Sequence, residues 1–170
     1  MGAELQNSSP KTMKAVVKSV GVERLKLPHG LVGTKTTAQV SIAGKDTNCL
    51  LDTGSQVTTV PQSFYEEHLS DLTIHSLNDL LEVERANGQF VPYLGYVELT
   101  ITFPKEFVGS DIEINTLALV IPHLRSAAHE QVLIGTNALD ILYADYQKLS
   151  SFQPLMNGYQ AVLKIYVLEI

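Results

Sequence analysis

Leu50-Leu51-Asp52-Thr53-Gly54-Ser55 occurs once in this chain, and the rest of the sequence is best read outward from it. Asn48-Cys49-Leu50-Leu51 is a short apolar run of the kind that forms a buried strand. Asp-Thr-Gly-Ser then breaks it with small residues suited to a tight turn. Asp52 is therefore delivered at the end of a strand, directly behind two leucines. A carboxylate in such a place is unfavourable unless it is paired, hydrogen-bonded or protonated. Asp-x-Gly is also ordinary turn chemistry, so what lies downstream has to decide between a loop and a working group.

Two elements lie downstream. The segment Leu81-Glu82-Val83-Glu84-Arg85-Ala86-Asn87-Gly88-Gln89-Phe90-Val91-Pro92-Tyr93 alternates apolar and polar residues on the approach to Asn-Gly, the strongest short signal for a two-residue hairpin turn. By itself this is a surface hairpin. Further on, Gln131-Val132-Leu133-Ile134-Gly135-Thr136-Asn137-Ala138-Leu139-Asp140 reads as a second apolar strand ending in glycine, followed by a helical stretch to about Tyr146.

In that order, the Asp-Thr-Gly-Ser turn, the hairpin and the apolar-apolar-Gly strand leading into a helix resemble the retropepsins, the aspartic proteases of retroviruses and Gypsy-type LTR retrotransposons. The resemblance spans roughly residues 36–146. It implies an all-β domain with one or two short helices: a closed barrel that forms half of an acid protease and pairs as a two-fold homodimer. Pepsin-like enzymes carry two such lobes in one chain; this chain has one Asp-Thr-Gly. A complete site would therefore need two copies, whose Asp52 side chains can meet on a two-fold axis.

The resemblance also implies the chemistry. Two like charges held close together resist ionising together, so a carboxylate pair shares one proton. One Asp52 would act as general base on a water and its partner would donate to the scissile carbonyl, with no covalent intermediate. By position, Thr53 would brace the two turns across the axis, Gly54 would let the backbone approach substrate, and Ser55 would donate to the carboxylate. Substrate contacts would come from Leu50, Ser55, Gln56, Val57 and Leu133, and from Arg85, Ala86, Asn87 and Gly88 of a flap-like hairpin. Retroviral flaps are typically glycine-rich at the tip, whereas this one carries Glu84, Arg85 and a single Gly88. Retroviral members also commonly have Asp two residues after the first motif's Gly and Arg directly after the second motif's Gly. Here Gln56 and Thr136 stand in those places. Losing one partner of a buried ion pair strands a charge at several kcal/mol, while losing both can be nearly neutral, so the joint change fits an intact fold with a different dimer clasp.

Composition is consistent with one folded domain: 170 residues, 45% of them hydrophobic. A net charge of −6, with basic residues scattered, argues against a nucleic-acid-binding face. The single Cys49 cannot form an internal disulfide and reads as a small packed side chain. No apolar stretch approaches the length needed to span a bilayer, and no signal-peptide core is present. The expectation is a protein with no membrane partner, in the cytoplasm or within virus-like particles. The five histidines lack metal-ligand spacing, so neither metal nor cofactor is expected. Ser55 has no Gly-x-Ser-x-Gly elbow around it, which makes it a poor nucleophile.

Along the rest of the chain, residues 1–12 read as a flexible leader and residues 13–170 as the domain. Residues 14–22 and 36–42 read as strands, the second closing a hairpin at residues 43–46 whose return strand carries Asp52. Pro61 suits the first turn of a short helix containing Phe64, Tyr65 and Leu69. Residues 72–79 give no clear signal. The apolar run 161–170 reads as a strand, and together with residues 14–20 it is the expected dimer interface. The reading is an aspartic endopeptidase, cleaving largely apolar segments of a retroelement polyprotein as a homodimer. Its main competitor is a catalytically idle dimerisation or peptide-binding module on the same fold, and a third possibility is an unrelated β domain with a fortuitous Asp-Thr-Gly.

Overall fold

The structure is a computed structural model that describes residues 28–33, 35–123 and 131–149. Its first hairpin pairs β1 (Thr37–Ile42) with β2 (Lys45–Leu51), in register from Thr37↔Leu50 to Ile42↔Lys45. Ala43 and Gly44, both at positive φ (50° and 79°), make the two-residue turn, the mirror-image type whose twist matches that of the strands. Alternation then sorts the side chains: Ala38, Val40 and Ile42 point into the core while Gln39 is exposed.

After the Asp52 turn the chain forms β3 (Thr58–Pro61) and α1 (Gln62–His68). Pro61 closes the strand and stands as the residue before the helix, one place earlier than expected. The longest pairing follows, between β4 (Gly95–Phe103) and β5 (Ile112–Ile121), from Gly95↔Val120 to Phe103↔Ile112, with the single-turn α2 (Lys105–Val108) at their connection. Val97, Leu99, Ile101 and Phe103 from one strand meet Ile112, Ile114, Ala118 and Val120 from the other inside the barrel. The short β6 (Leu133–Ile134) and α3 (Thr136–Leu149) complete the described chain.

The six strands close in the order β1-β2-β6-β3-β5-β4. Closure depends on β6, which runs parallel to β2 (Leu50↔Leu133, Leu51↔Ile134) and antiparallel to β3 (Thr59↔Leu133). A strand of two residues thus joins the strand before Asp52 to the strand after it. The expected mainly-β closed barrel is what the described residues form. The longest helix, α3, packs on the barrel through Ala138, Leu139 and Leu142, which are fully buried along its 14 residues. The leader, the strand at 14–22 and the interface strand at 161–170 lie outside the described residues.

Candidate active site

Asp52 is held by backbone bonds from two directions. Its N–H donates to the Ile134 carbonyl (3.0 Å), continuing the β2–β6 pairing, and its carbonyl accepts from Ser55 N–H (3.2 Å), which closes the Asp52-Thr53-Gly54-Ser55 turn. Within that turn Gly54 N–H donates to Asp52 Oδ1 (2.9 Å). This is the local side-chain-to-backbone bond that makes Asp a favoured turn residue. The other oxygen, Oδ2, is buried and has no hydrogen-bond donor among the described residues. Buried polar atoms are nearly always satisfied, and an exception calls for an explanation such as strain, a catalytic role or a bound water or ion. Asp52 therefore has one oxygen fixed by its own turn and one that lacks a partner among the described residues.

Behind the turn the packing is tight. A Cβ at Gly135 would stand 2.3 Å from the Val57 carbonyl oxygen and 2.8 Å from that of Ser55, so only glycine lets β6 pass. Thr136 N–H donates to the Ser55 carbonyl (2.7 Å). Thr58, fully buried, accepts from Gly135 N–H (3.1 Å) and donates to Asn137 Oδ1 (2.8 Å). The Asn137 amide in turn donates to the Leu117 carbonyl (2.8 Å). Two segments distant in sequence, residues 135–137 and Leu117, are thus tied to the Asp52 turn by a connected hydrogen-bond network, the kind that fixes one geometry. Thr58 and Asn137 carry this network and were not singled out from sequence. Nothing local distinguishes Thr58 from the threonine beside it.

Ser55 departs from expectation. Its hydroxyl donates to the Val57 carbonyl (2.8 Å), not to the carboxylate, and its side chain is buried. It braces the loop and does not line the cleft described below. Gln56 is exposed and Thr136 half-buried, so the two places that hold charges in retroviral members strand none here.

The hairpin at 81–93 is present, bridged at Glu84↔Phe90 and held by Val91 N–H to the Val83 carbonyl (2.7 Å) and Arg85 N–H to the Gln89 carbonyl (2.8 Å). Its turn is not the expected two-residue type. Gly88 N–H donates to the Arg85 carbonyl (2.9 Å) and Gly88 alone takes positive φ (80°), giving a three-residue loop with a glycine bulge. Asn87 uses Oδ1 to accept from Gln89 N–H (3.1 Å), which holds the loop in this form. At its base the Tyr93 hydroxyl donates to the Leu81 carbonyl.

Between turn and hairpin lies a cleft of about 370 Å³. Gly54, Gln56 and Val57 form one wall; Arg85 and Ala86, with residues 81–84, form the other. Of the expected contacts, Gln56, Val57, Arg85 and Ala86 are thus brought together beside Gly54. Asn87 and Gly88 lie beyond the cleft at the loop tip, and Leu50 and Leu133 pair with each other across β2 and β6 instead of lining it. Leu81, Glu82, Val83 and Glu84 line it although sequence reasoning had not named them as contacts. Alternation located the hairpin but could not say which edge would face the turn.

No family model and no curated protein matches the chain. Among solved structures it is similar to the EIAV protease complexed with the inhibitor HBY-793, at 19% identity and a TM-score of 0.42, over 76% of this chain and all of that one. It is also similar to the retroviral protease-like domain of Ddi1 from Leishmania major, at 12% identity and a TM-score of 0.45, over 65% of this chain and 78% of that one.

Proposed function

We propose that the chain is a retropepsin-like aspartic endopeptidase whose site is completed by a second copy of itself. The observation that carries this reading is the state of Asp52: Oδ1 is fixed by Gly54 and Oδ2 is buried without a donor among the described residues, on the turn whose Gly54 lines a cleft walled on its other side by a hairpin. A second Asp52 across a two-fold axis would supply what Oδ2 lacks, a partner with which to share one proton. In such a pair the ionised carboxylate takes a proton from water as its oxygen adds to the peptide carbonyl carbon. The protonated carboxyl donates to the carbonyl oxygen, and collapse of the tetrahedral adduct breaks the C–N bond as the amine is protonated. The fixed Gly54 amide and the network through Thr58, Gly135 and Asn137 hold the acid in one place, which is the protein's contribution to orientation.

Within this reading the substrate is an extended polypeptide, and we carry forward a retroelement polyprotein processed in the cytoplasm or in virus-like particles. The test is hydrolysis of a peptide library, from acid to neutral pH, by wild type and Asp52→Asn. The substitution keeps shape and removes the ionisable group, so cleavage should fall to background with folding unchanged. Full activity in the variant would exclude the mechanism. Absence of cleavage by both, with peptides still bound, would favour the idle peptide-binding module.

A further inference from the structure

Among the described residues, Asn87 is the one asparagine followed by a glycine. The neighbour matters because the backbone nitrogen of the next residue can attack an asparagine carboxamide, and a side chain there stands in the way. Asn48 and Asn115 lie in β2 and β5 and Asn137 in α3, where regular backbone fixes the chain, and Asn78 precedes Asp79. Gly88, in contrast, is exposed on the three-residue loop. Beyond its chain neighbours, a Cβ there would meet a single atom, Glu84 Oε1 at 3.4 Å.

The Asn87 side chain is also arranged for that attack. Its Oδ1 accepts from Gln89 N–H (3.1 Å) and its Nδ2 donates to Gln89 Oε1 (3.2 Å), so the carboxamide is folded forward alongside Gly88. The Gln89 N–H thus sits on the oxygen that gains negative charge when the carboxamide carbon is attacked, where a donor stabilises the tetrahedral adduct. One contact opposes the reaction: Gly88 N–H donates to the Arg85 carbonyl (2.9 Å). A hydrogen bond of this kind shifts an equilibrium by about tenfold at most. It slows the attack without forbidding it.

We propose that Asn87-Gly88 is a site of spontaneous covalent modification in the folded protein, deamidation through a cyclic imide. The Gly88 nitrogen gives its proton to solvent and bonds to Asn87 Cγ. The Cγ–Nδ2 bond breaks, and Nδ2 leaves as ammonia with a proton from solvent. Water then opens the imide. Opening at the side-chain carbonyl leaves aspartate; opening at the backbone carbonyl leaves isoaspartate, with the chain routed through Cγ. Water enters, ammonia leaves, and nothing is oxidised or reduced. The inference stands apart from the peptidase reading.

Isoaspartate adds a methylene to the main chain inside the loop. The Gly88 N–H to Arg85 bond and the Arg85 N–H to Gln89 bond lose the spacing they depend on, and a new carboxylate stands near Glu84 on the hairpin that walls the cleft. The hairpin therefore loosens as the protein ages. Aspartate retains an oxygen for Gln89 N–H and keeps the turn.

The test incubates the full-length wild-type protein at mildly alkaline pH, folded and in urea. Peptide mapping by mass spectrometry separates Asn87 from the second Asn-Gly pair, Asn157-Gly158, which lies outside the described residues. In the folded protein residue 87 should exchange NH2 for OH at a rate within about tenfold of that in urea, giving both aspartate and isoaspartate. Amide hydrogen exchange at Arg85 and Val91, whose N–H groups tie the hairpin, should be faster in the isoaspartate form and no faster in Asn87→Asp. Asn87 left intact in the folded protein while the urea-unfolded chain is converted overturns the proposal. Conversion with exchange unchanged at Arg85 and Val91 overturns the loosening of the hairpin.

Discussion

Cys49 sits three residues before Asp52, fully buried in β2, with its thiol turned back toward the Thr47 carbonyl (3.8 Å). Burial, which penalises the thiolate, pushes its pKa from the ordinary 9.0 up to about 12. Since only the thiolate is nucleophilic, Cys49 should resist alkylation by iodoacetamide in the native protein and react once urea unfolds it. The sign for stability follows from the raised value. Below pH 9 both states hold the proton and the contribution is intact; between about pH 9 and 12 only the unfolded chain releases it, so stability falls through that window. Urea midpoints measured across it should decline less steeply in Cys49→Ala than in wild type, and equal slopes would refute the assignment. The small packed side chain expected of Cys49 was legible because an apolar strand buries whatever it carries. Ser55 was not legible in the same way. Its hydroxyl could donate to a carboxylate or to a carbonyl, and the choice was made by the loop path that brings the Val57 carbonyl within 2.8 Å.

At the scale of elements, local chemistry was readable and long-range closure was not. The Ala43-Gly44 turn, the strand into Asp52 and the apolar strand before α3 follow from alternation and punctuation within a few residues. The hairpin at 81–93 lies where Asn-Gly placed it but has a different turn, because Asn-Gly serves both a two-residue turn and, as here, the last two places of a three-residue loop. The β4 strand is legible in the alternation of Val97, Leu99, Ile101 and Phe103, although no motif marks it or its partner β5. What no local pattern could show is that β6 threads between β2 and β3 through the absence of a side chain at Gly135. Gly135→Ala should therefore destabilise severely, by about 3 kcal/mol or more, because its Cβ meets backbone at 2.3 Å and 2.8 Å. Gly44→Ala, which has open space and only a strained φ of 79°, should lose about 1 kcal/mol. Urea midpoints at constant m value separate the two. Equal small losses would mean the Asp52 turn is not held by close approach to β6.

At the scale of the molecule, the proposed site makes activity a property of pairs. Each chain brings one Asp52, with one oxygen already committed to Gly54, so a dimer of wild type and Asp52→Asn has a single acid and cannot both accept and donate the proton. Mixing the two proteins at equal concentration and allowing exchange leaves about a quarter of the dimers with both acids. Activity per total protein should then fall to about a quarter of the wild-type value, and further as the variant is added in excess. If each chain carried a complete site, the same mixture would retain half, and excess variant would dilute activity without suppressing it. The measurement needs only peptide hydrolysis and the mixing ratio, and it is indifferent to which strands build the interface. A value near half would remove the two-copy site while leaving the barrel, the turn and the cleft as described. A value near a quarter would show that the second partner of Asp52 is another Asp52.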